Sequence, residues 1–383
     1  MSNIAIEIGF VPLTDAAILI AACEMGFAAE EGLDLRLRKE VSWSNIRDKV
    51  SMDIYPMAHM LSPLALAMSL GLGPLPTKMT VPFVLNQNGN TLVAGAKIYS
   101  EITPNFDNPA AIGAALLAAQ KGKPLRIGVP FPQSMHQELV QYWLESCGAT
   151  PGLDFSFSVA PPSLLGQVLD VGEIDAFMVG EPWGSLAVEN GGAEILMSSA
   201  AIWSAAPEKV LAVRSDWAEK HPDAMLKLVR AMYRASLWCG DRRNAASLAE
   251  ILALPRYIGA PAEVIERALN GQLVLDGKGR MGENSDILRL SGPDVNFPWL
   301  SGAKWIADIV ATRWGLSQTV VTKEAHAVFR PDIYISALKP TGVNLPKQNT
   351  RAEGGEKTNH MAKGMRAELN FGANCFFDNQ KFY

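Results

Sequence analysis

Residues 4–41, IAIEIGFVPLTDAAILIAACEMGFAAEEGLDLRLRKEV, hold the pattern on which the fold turns. Ile4, Ile6 and Ile8 recur at every second position, the period of a strand with one buried face. Thr14 and Asp15 follow where capping residues belong, because their short side-chain oxygens can satisfy backbone N–H groups that a first helical turn leaves unpaired. The apolar run after them reads as a helix that stops at Gly32, and LDLRLRKEV then returns to the period of two. Strand, helix and strand in succession predict an α/β fold with mostly parallel strands.

Outward from this unit the alternation continues. DIYPMAHM reads as a strand and Leu61–Leu70 as a helix. After the Pro- and Asn-bearing stretch from Thr103 to Pro109 a second set begins, with a helix over Ala110–Lys121, the strand LRIGVP, a helix from Ser134 to Cys147 and the strand DFSFSVA. The strand IDAFMVG, a helix opening at Pro182 and AEILMSS complete it. Two apolar strands bracket the set, Val81–Ala96 before it and KVLAVR (Lys209–Arg214) after it, so the chain crosses twice between lobes, a hinge architecture. Residues 1–96 with 209–340 are expected to form lobe I, and 97–208 lobe II. Residues 341–365 are polar and rich in Gly, Asn and Lys, and read as a flexible linker. Residues 366–383 regain aromatics and are expected to dock on the body as a strand or hairpin.

Composition narrows the function classes. A chain of 383 residues can hold more than one core at ~150 residues per domain. Its 34 basic and 39 acidic side chains give a net charge of −5 with no basic stripe, which argues against direct nucleic-acid binding. The most apolar stretch, Leu61–Pro76, is broken by Pro63, Gly71, Gly73 and Pro74, too short for a membrane helix of ~20 residues. Cys23, Cys147, Cys239 and Cys375 lie far apart without metal-ligand or CxxC spacing, so neither a metal nor a disulfide framework is expected. MSNIAIEIGFVPLTD has no basic n-region and no cleavage signal, and reads as the start of a cytoplasmic protein.

No HExxH pair, GxSxG elbow, GxGxxG or Walker loop occurs, which moves the reading from catalysis toward binding. Gly180-Glu181-Pro182-Trp183 follows a strand and opens a helix, so its backbone N–H groups are expected to seat a small anion at the positive helix end. His136 stands at the carboxyl edge of a parallel strand, where ligands of α/β proteins sit. Lys209 brings a cation to the lobe junction, and Trp43 offers a donor-only indole whose ring can cover a planar ligand. Asn86-Gln87-Asn88-Gly89-Asn90 would alone be an ordinary hairpin turn. Taken singly, each has a bland reading: a surface lysine, a core tryptophan, a structural histidine.

Together, GFVPLTDAAILIAACEMGF, EVSWSNIRDKV, AHMLSP, LNQNGN, FPQSMH, FMVGEPW and PEKVLAVRSDW resemble, in order and spacing, the nitrate-binding proteins of the NrtA group over roughly residues 4–315. That resemblance implies a two-lobe type II periplasmic binding protein fold, with a hinge and the ligand in the interlobe cleft. It implies a binder with no cofactor and no metal rather than an enzyme. The family's ligand-holding Trp, Gln, His, Gly and Lys fall on Trp43, Asn90, His136, Gly180 and Lys209. Asn90 departs from the family's Gln by one methylene, which leaves the preference between nitrate and nitrite open. Nitrate accepts hydrogen bonds and donates none, so its site is expected to be built of donors around a buried positive charge, with no carboxylate close by. Bicarbonate carries a hydroxyl, and related bicarbonate binders place a carboxylate with calcium where this chain has Lys209. The missing leader makes the chain look more like cytoplasmic NasS-type sensors, which hold a NasT-type RNA-binding antiterminator until nitrate or nitrite arrives. The alternative is the binding component of a nitrate transporter.

Overall fold

The computed structural model describes residues 3–100, 106, 108–119 and 122–383. Two mixed sheets organise them, built chiefly from β1 (Ile4–Phe10), β2 (Leu33–Lys39), β3 (Met57–Leu61), β4 (Met79–Asn88), β5 (Asn90–Gly95), β6 (Leu125–Val129), β7 (Phe155–Val159), β8 (Ala176–Gly180), β9 (Ala193–Ser198) and β10 (Pro207–Arg214). The first sheet runs β2-β1-β3-β10-β4 and ends on a two-residue strand, Leu288–Arg289. In it β1 lies parallel to β2 and β3, while β10 is antiparallel to both β3 and β4. The second sheet runs β7-β6-β8-β5-β9, with β6 parallel to β7 and β8, and β5 antiparallel to β8 and β9. This is the α/β periplasmic-binding-protein architecture.

Local sequence explains the opening unit. Ile6 and Ile8 of β1 are buried, whereas Ile4 at the open end of the strand stays exposed. The helix Ala17–Glu24 is apolar on every side, and Ala17 to Ala22 are all fully buried between the first sheet and the helix Pro222–Gly240. It stops earlier than Gly32, because Gly26 turns the backbone left-handed at φ 78° before a short helix, Phe27–Glu30.

The crossings between sheets fall elsewhere than the sequence suggests. Val81–Ala96 reads as one strand, but β4 and β5 belong to different sheets and the chain changes over at Asn88 (φ 60°) and Gly89 (φ 102°). Residues 90–95 therefore pair with the second sheet, ahead of the expected boundary at 96, and the return strand begins at Pro207 rather than Lys209. The two crossings are tied together. Asn88 Nδ2 donates to the carbonyls of Ser204 (2.7 Å) and Asp286 (3.1 Å), and the Asn88 N–H donates to Ala206 O (3.0 Å). The stretch from Thr103 that opens the second lobe in the sequence reading, and the expected helix end at Lys121, lie outside the described residues save Phe106, Asn108 and the helix Pro109–Ala119.

The C-terminal region contradicts the expected linker. Residues 341–365 are pinned to the body: Leu345 is buried, His360–Lys363 pairs antiparallel with Glu368–Phe371, and Glu353 is only 1% exposed. Its polar side chains serve as hydrogen-bonding groups rather than as a solvated spacer. Ser301 Oγ and Asn374 Nδ2 donate to the two Glu353 oxygens at 2.7 and 2.8 Å, and Arg351 stacks 4.8 Å from the Trp299 ring centroid. Beyond it, Phe376 stacks on Trp203 of the second crossing (4.5 Å, 21°), and Trp203 Nε1 donates to Asn374 Oδ1.

Candidate functional site

Lys209 is the anchor. It sits on β10, at the centre of the first sheet, where the ladder with β4 slips in register on either side of it. Successive strand residues point to opposite faces, but a bulge relaxes that rule. Lys209 Nζ consequently donates to Oε1 of its own neighbour Glu208 at 2.8 Å. The same ammonium forms an ion pair with Asp15 Oδ2 at 2.8 Å and lies 5.6 Å from the centroid of the Trp43 ring. Lys209 and Glu208 have no exposed surface at all, and Asp15 has 2%.

Six other segments close around this cation. Asp15 comes from the turn after β1, and its Oδ1 pairs with His59 Nε2 of β3 at 2.8 Å. Trp43 is the first residue of the helix Trp43–Ser51, where Ser42 Oγ accepts the Asn45 N–H and fixes the helix start. His136 stands in the first turn of the helix Met135–Ser146, capped in the same way by Ser134 Oγ accepting from the Gln137 N–H. Its Nδ1 is 3.4 Å from Glu208 Oε1. Asn90 and Gly180 face one another in the β5–β8 ladder, and a Cβ at Gly180 would meet Leu13 at 3.0 Å, Asn90 Oδ1 at 3.4 Å and Asp15 Oδ2 at 3.5 Å. The five residues singled out by sequence, Trp43, Asn90, His136, Gly180 and Lys209, thus converge on one buried locus between the sheets.

The electrostatics follow from burial. Desolvation alone would strip Lys209 of its proton, yet Asp15 and Glu208 outweigh it and hold the ammonium pKa above the ordinary lysine value. Burial likewise opposes ionisation of Asp15, but Lys209 and then His59 hold it below the usual carboxylate range. For Glu208 burial wins: its pKa is raised despite Lys209 and the Asn90 amide, with Asp15 adding a like-charge push. Burial and the Lys209 charge drive His136 well below the normal histidine value, so the imidazole is neutral. His59 is lowered as well, by burial against the pull of Asp15.

What remains is a set of buried polar atoms without a well-formed hydrogen bond from the protein: Trp43 Nε1, both side-chain atoms of Asn90, both ring nitrogens of His136 and Glu208 Oε2. Buried polar groups are ordinarily satisfied, so a cluster of exceptions at one place points to a ligand site.

Two expectations fail here. Carboxylates do stand close by, because a lone ammonium at this depth could not stay charged without them. In the Gly180-Glu181-Pro182-Trp183 turn the Glu181 N–H is taken up by Gly89 O at 2.9 Å and Pro182 carries no N–H. Its helix, Trp183–Glu189, is short, and Glu181 caps it internally, Oε2 accepting from the Ser185 N–H and Oε1 from Thr91 Oγ1. The asparagine run is no hairpin turn, since the strands it joins enter different sheets, and Asn86 Oδ1 accepts the Lys209 N–H at 3.2 Å. Sequence reasoning missed Asp15, His59 and Glu208 as members of the site. Asp15 looked like a helix cap and His59 sat inside a strand. An adjacent Glu-Lys pair opening an otherwise apolar strand was the signal available for Glu208.

Fold and site together define a two-lobe ligand-binding protein of the periplasmic-binding-protein type. More narrowly, the chain belongs to the NMT1-like family, whose model matches residues 2–253. It is 31% identical over 361 residues to the nitrate/nitrite binding protein NrtA of Synechococcus elongatus, covering 90% of this chain and 80% of that one. It is 33% identical over 351 residues to the nitrate import ATP-binding protein NrtC of Synechocystis, covering 89% of this chain; it spans about half (51%) of NrtC's length. Among solved structures, the periplasmic nitrate-binding protein NrtA of Synechocystis PCC 6803 superposes with a TM-score of 0.85 at 26% identity, over 99% of this chain and 95% of that one.

Proposed function

We propose that this chain binds a small planar monovalent oxyanion, nitrate or nitrite, with Lys209 as the buried cation and Trp43, Asn90 and His136 as directional donors, beside a wall at Gly180 where a Cβ would already crowd Leu13. One observation carries the reading: the three donor side chains that surround Lys209 are completely buried and their polar tips lack well-formed partners within the protein. The likeness to the nitrate/nitrite binding protein NrtA supports the choice of ligand. Binding rather than catalysis is the proposed activity, with no cofactor.

The finer proposal is a sensor role. Ligand closes the lobes, and closure changes the surface offered to a NasT-type RNA-binding antiterminator in the cytoplasm, which is then released. The net charge of −5 suits a chain that meets RNA only through such a partner. The alternative, the binding component of a nitrate importer, draws its support from the likeness to NrtC. Titration calorimetry with nitrate, nitrite and bicarbonate in parallel tests the ligand: the expected result is saturable binding of the first two and none of the third. Size-exclusion chromatography with a NasT-type protein tests the role. A complex that dissolves on adding nitrate or nitrite supports the sensor; absence of any complex sinks it and leaves the importer reading.

A further inference from the structure

The charge count of the site does not suit a bare anion. Lys209 contributes one positive charge and Asp15 one negative, Glu208 adds a second negative charge whenever it is ionised, and both histidines are neutral. With Glu208 ionised the cluster is already net negative. All of these side chains are at most 2% exposed, so a second uncompensated negative charge would sit where water cannot screen it.

The two carboxylates are not equivalent. Asp15 is flanked by two groups that favour its ionised form, the His59 ring nitrogen at Oδ1 and the Lys209 ammonium at Oδ2. Glu208 has Lys209 at Oε1, but its Oε2 has no well-formed partner, and His136 Nδ1 lies 3.4 Å from Oε1. The groups facing Glu208 are Lys209 on its own strand, Asp15 from the turn after β1, His136 from the helix Met135–Ser146 and Asn90 from β5; His59 acts through Asp15. Glu181 is held in its own turn by Thr91 Oγ1 and the Ser185 N–H.

From this arrangement we infer that Glu208, sharing its proton with His136, is the specificity switch of the site: an acceptor-only monoanion enters together with one proton taken from solvent. The inference rests on the anion-binding reading above. Taking up the proton turns the Glu208–His136 pair from net acceptor to net donor, which leaves the Lys209 charge balanced by Asp15 while the pair donates to the incoming oxygen. The balance is simple: one anion and one hydrogen ion enter, and nitrate itself releases none. The proton belongs to the pair as a unit rather than to one atom. Burial raises the Glu208 pKa already in the free protein, so the uptake from solvent is complete only on the alkaline side of the pair's titration. Bicarbonate differs, because it brings its own hydroxyl proton to an ionised Glu208 and takes none from solvent.

The test is calorimetry on the full chain with nitrate and nitrite, at matched pH in phosphate and in Tris, whose ionisation enthalpies differ, and across pH 5.5 to 9. The expected result is uptake of about one proton per anion, with affinity falling about tenfold per pH unit on the alkaline side of the pair's titration. Glu208→Gln removes the charge and keeps the shape, so its uptake is expected near zero and its affinity flat with pH. If that variant does not fold, the wild-type comparison between buffers decides alone. Heats that do not depend on the buffer, with binding intact, overturn the proton linkage and leave anion binding standing. No binding of either anion at any pH overturns the anion reading and this inference with it. Bicarbonate binding without proton uptake, in the absence of nitrate binding, also overturns the inference and reassigns Glu208 as an acceptor for the ligand's hydroxyl.

Discussion

At the residue scale, Lys209 is both the cation proposed to hold the ligand and the group that makes two buried carboxylates tolerable. Substituting it therefore does more than remove a contact. Lys209→Met would strand Asp15 and Glu208, and breaking a buried pair in this way costs about 3–5 kcal/mol. Urea unfolding at pH 7 is expected to show that loss, and an unchanged midpoint would mean the cluster does not hold the two sheets together. The sign of the acid limb follows from Asp15. Its native pKa is depressed, so its contribution to stability is complete above the unfolded value near 3.8 and disappears as pH falls through the native value. Removing Lys209 takes away the main attraction behind that depression, so the variant is expected to lose less further stability below pH 4 than the wild type. The five residues named from sequence were legible because a family resemblance assigned them one by one. Asp15, His59 and Glu208 were not, because only folding brings residue 15 against residue 209, and a carboxylate in a turn carries no mark of its eventual partner.

At the element scale, the helix Met135–Ser146 does several jobs along its length. Its first turn presents His136 to the site, while further along Glu138 and Gln141 accept from Arg313 of the helix Leu300–Trp314 at 2.7 and 2.5 Å. Arg313 belongs to a helix packed on the first-sheet side, so this fork joins the two lobes close to the ligand locus. Arg313→Ala leaves Glu138, a 3% exposed side chain whose pKa burial pushes up to about 8, without its partner, and a buried polar group left unpaired costs roughly 1–3 kcal/mol. Nitrate affinity is expected to drop with it, mainly through faster dissociation measured by stopped flow, because the joint holds the closed arrangement. Equal dissociation rates in the two proteins would show that the fork is structural only. Strands and helices of this kind were largely readable from period and caps. The junction at Gly89 was not: the polar Asn86–Asn90 run between apolar flanks reads equally as a turn within one sheet, and one-dimensional alternation cannot show that its two flanks enter different sheets.

At the scale of the whole molecule, length and alternation pointed to two lobes joined by a double crossing, and composition misled at the C-terminal end. A polar segment is free when nothing meets its hydrogen-bonding groups; here Glu353 accepts from Ser301 and Arg351 lies over the Trp299 ring of the body, so the same residues that read as a spacer act as fasteners. The fastening has a mechanical consequence. Phe376 sits on Trp203 in the second crossing, Asp378 accepts from Tyr142 and Ser146 on the His136 helix, and Phe382 meets Trp305 from the first-sheet side. One short segment thus grips the crossing and both lobes at once, so loosening it should free the hinge before it unfolds either core. Phe376→Ala, which removes a fully buried ring, is expected to cost about 3–5 kcal/mol. Hydrogen exchange separates a local effect from a global one: amides over 199–206 should lose protection first, while those of β1 and β6 in the two sheet cores should follow only at the global rate. Loss of protection spread evenly over the chain would refute a hinge clamp. Nitrate affinity adds a second readout, since a looser hinge lowers the population of the closed form and the apparent affinity falls by that same fraction.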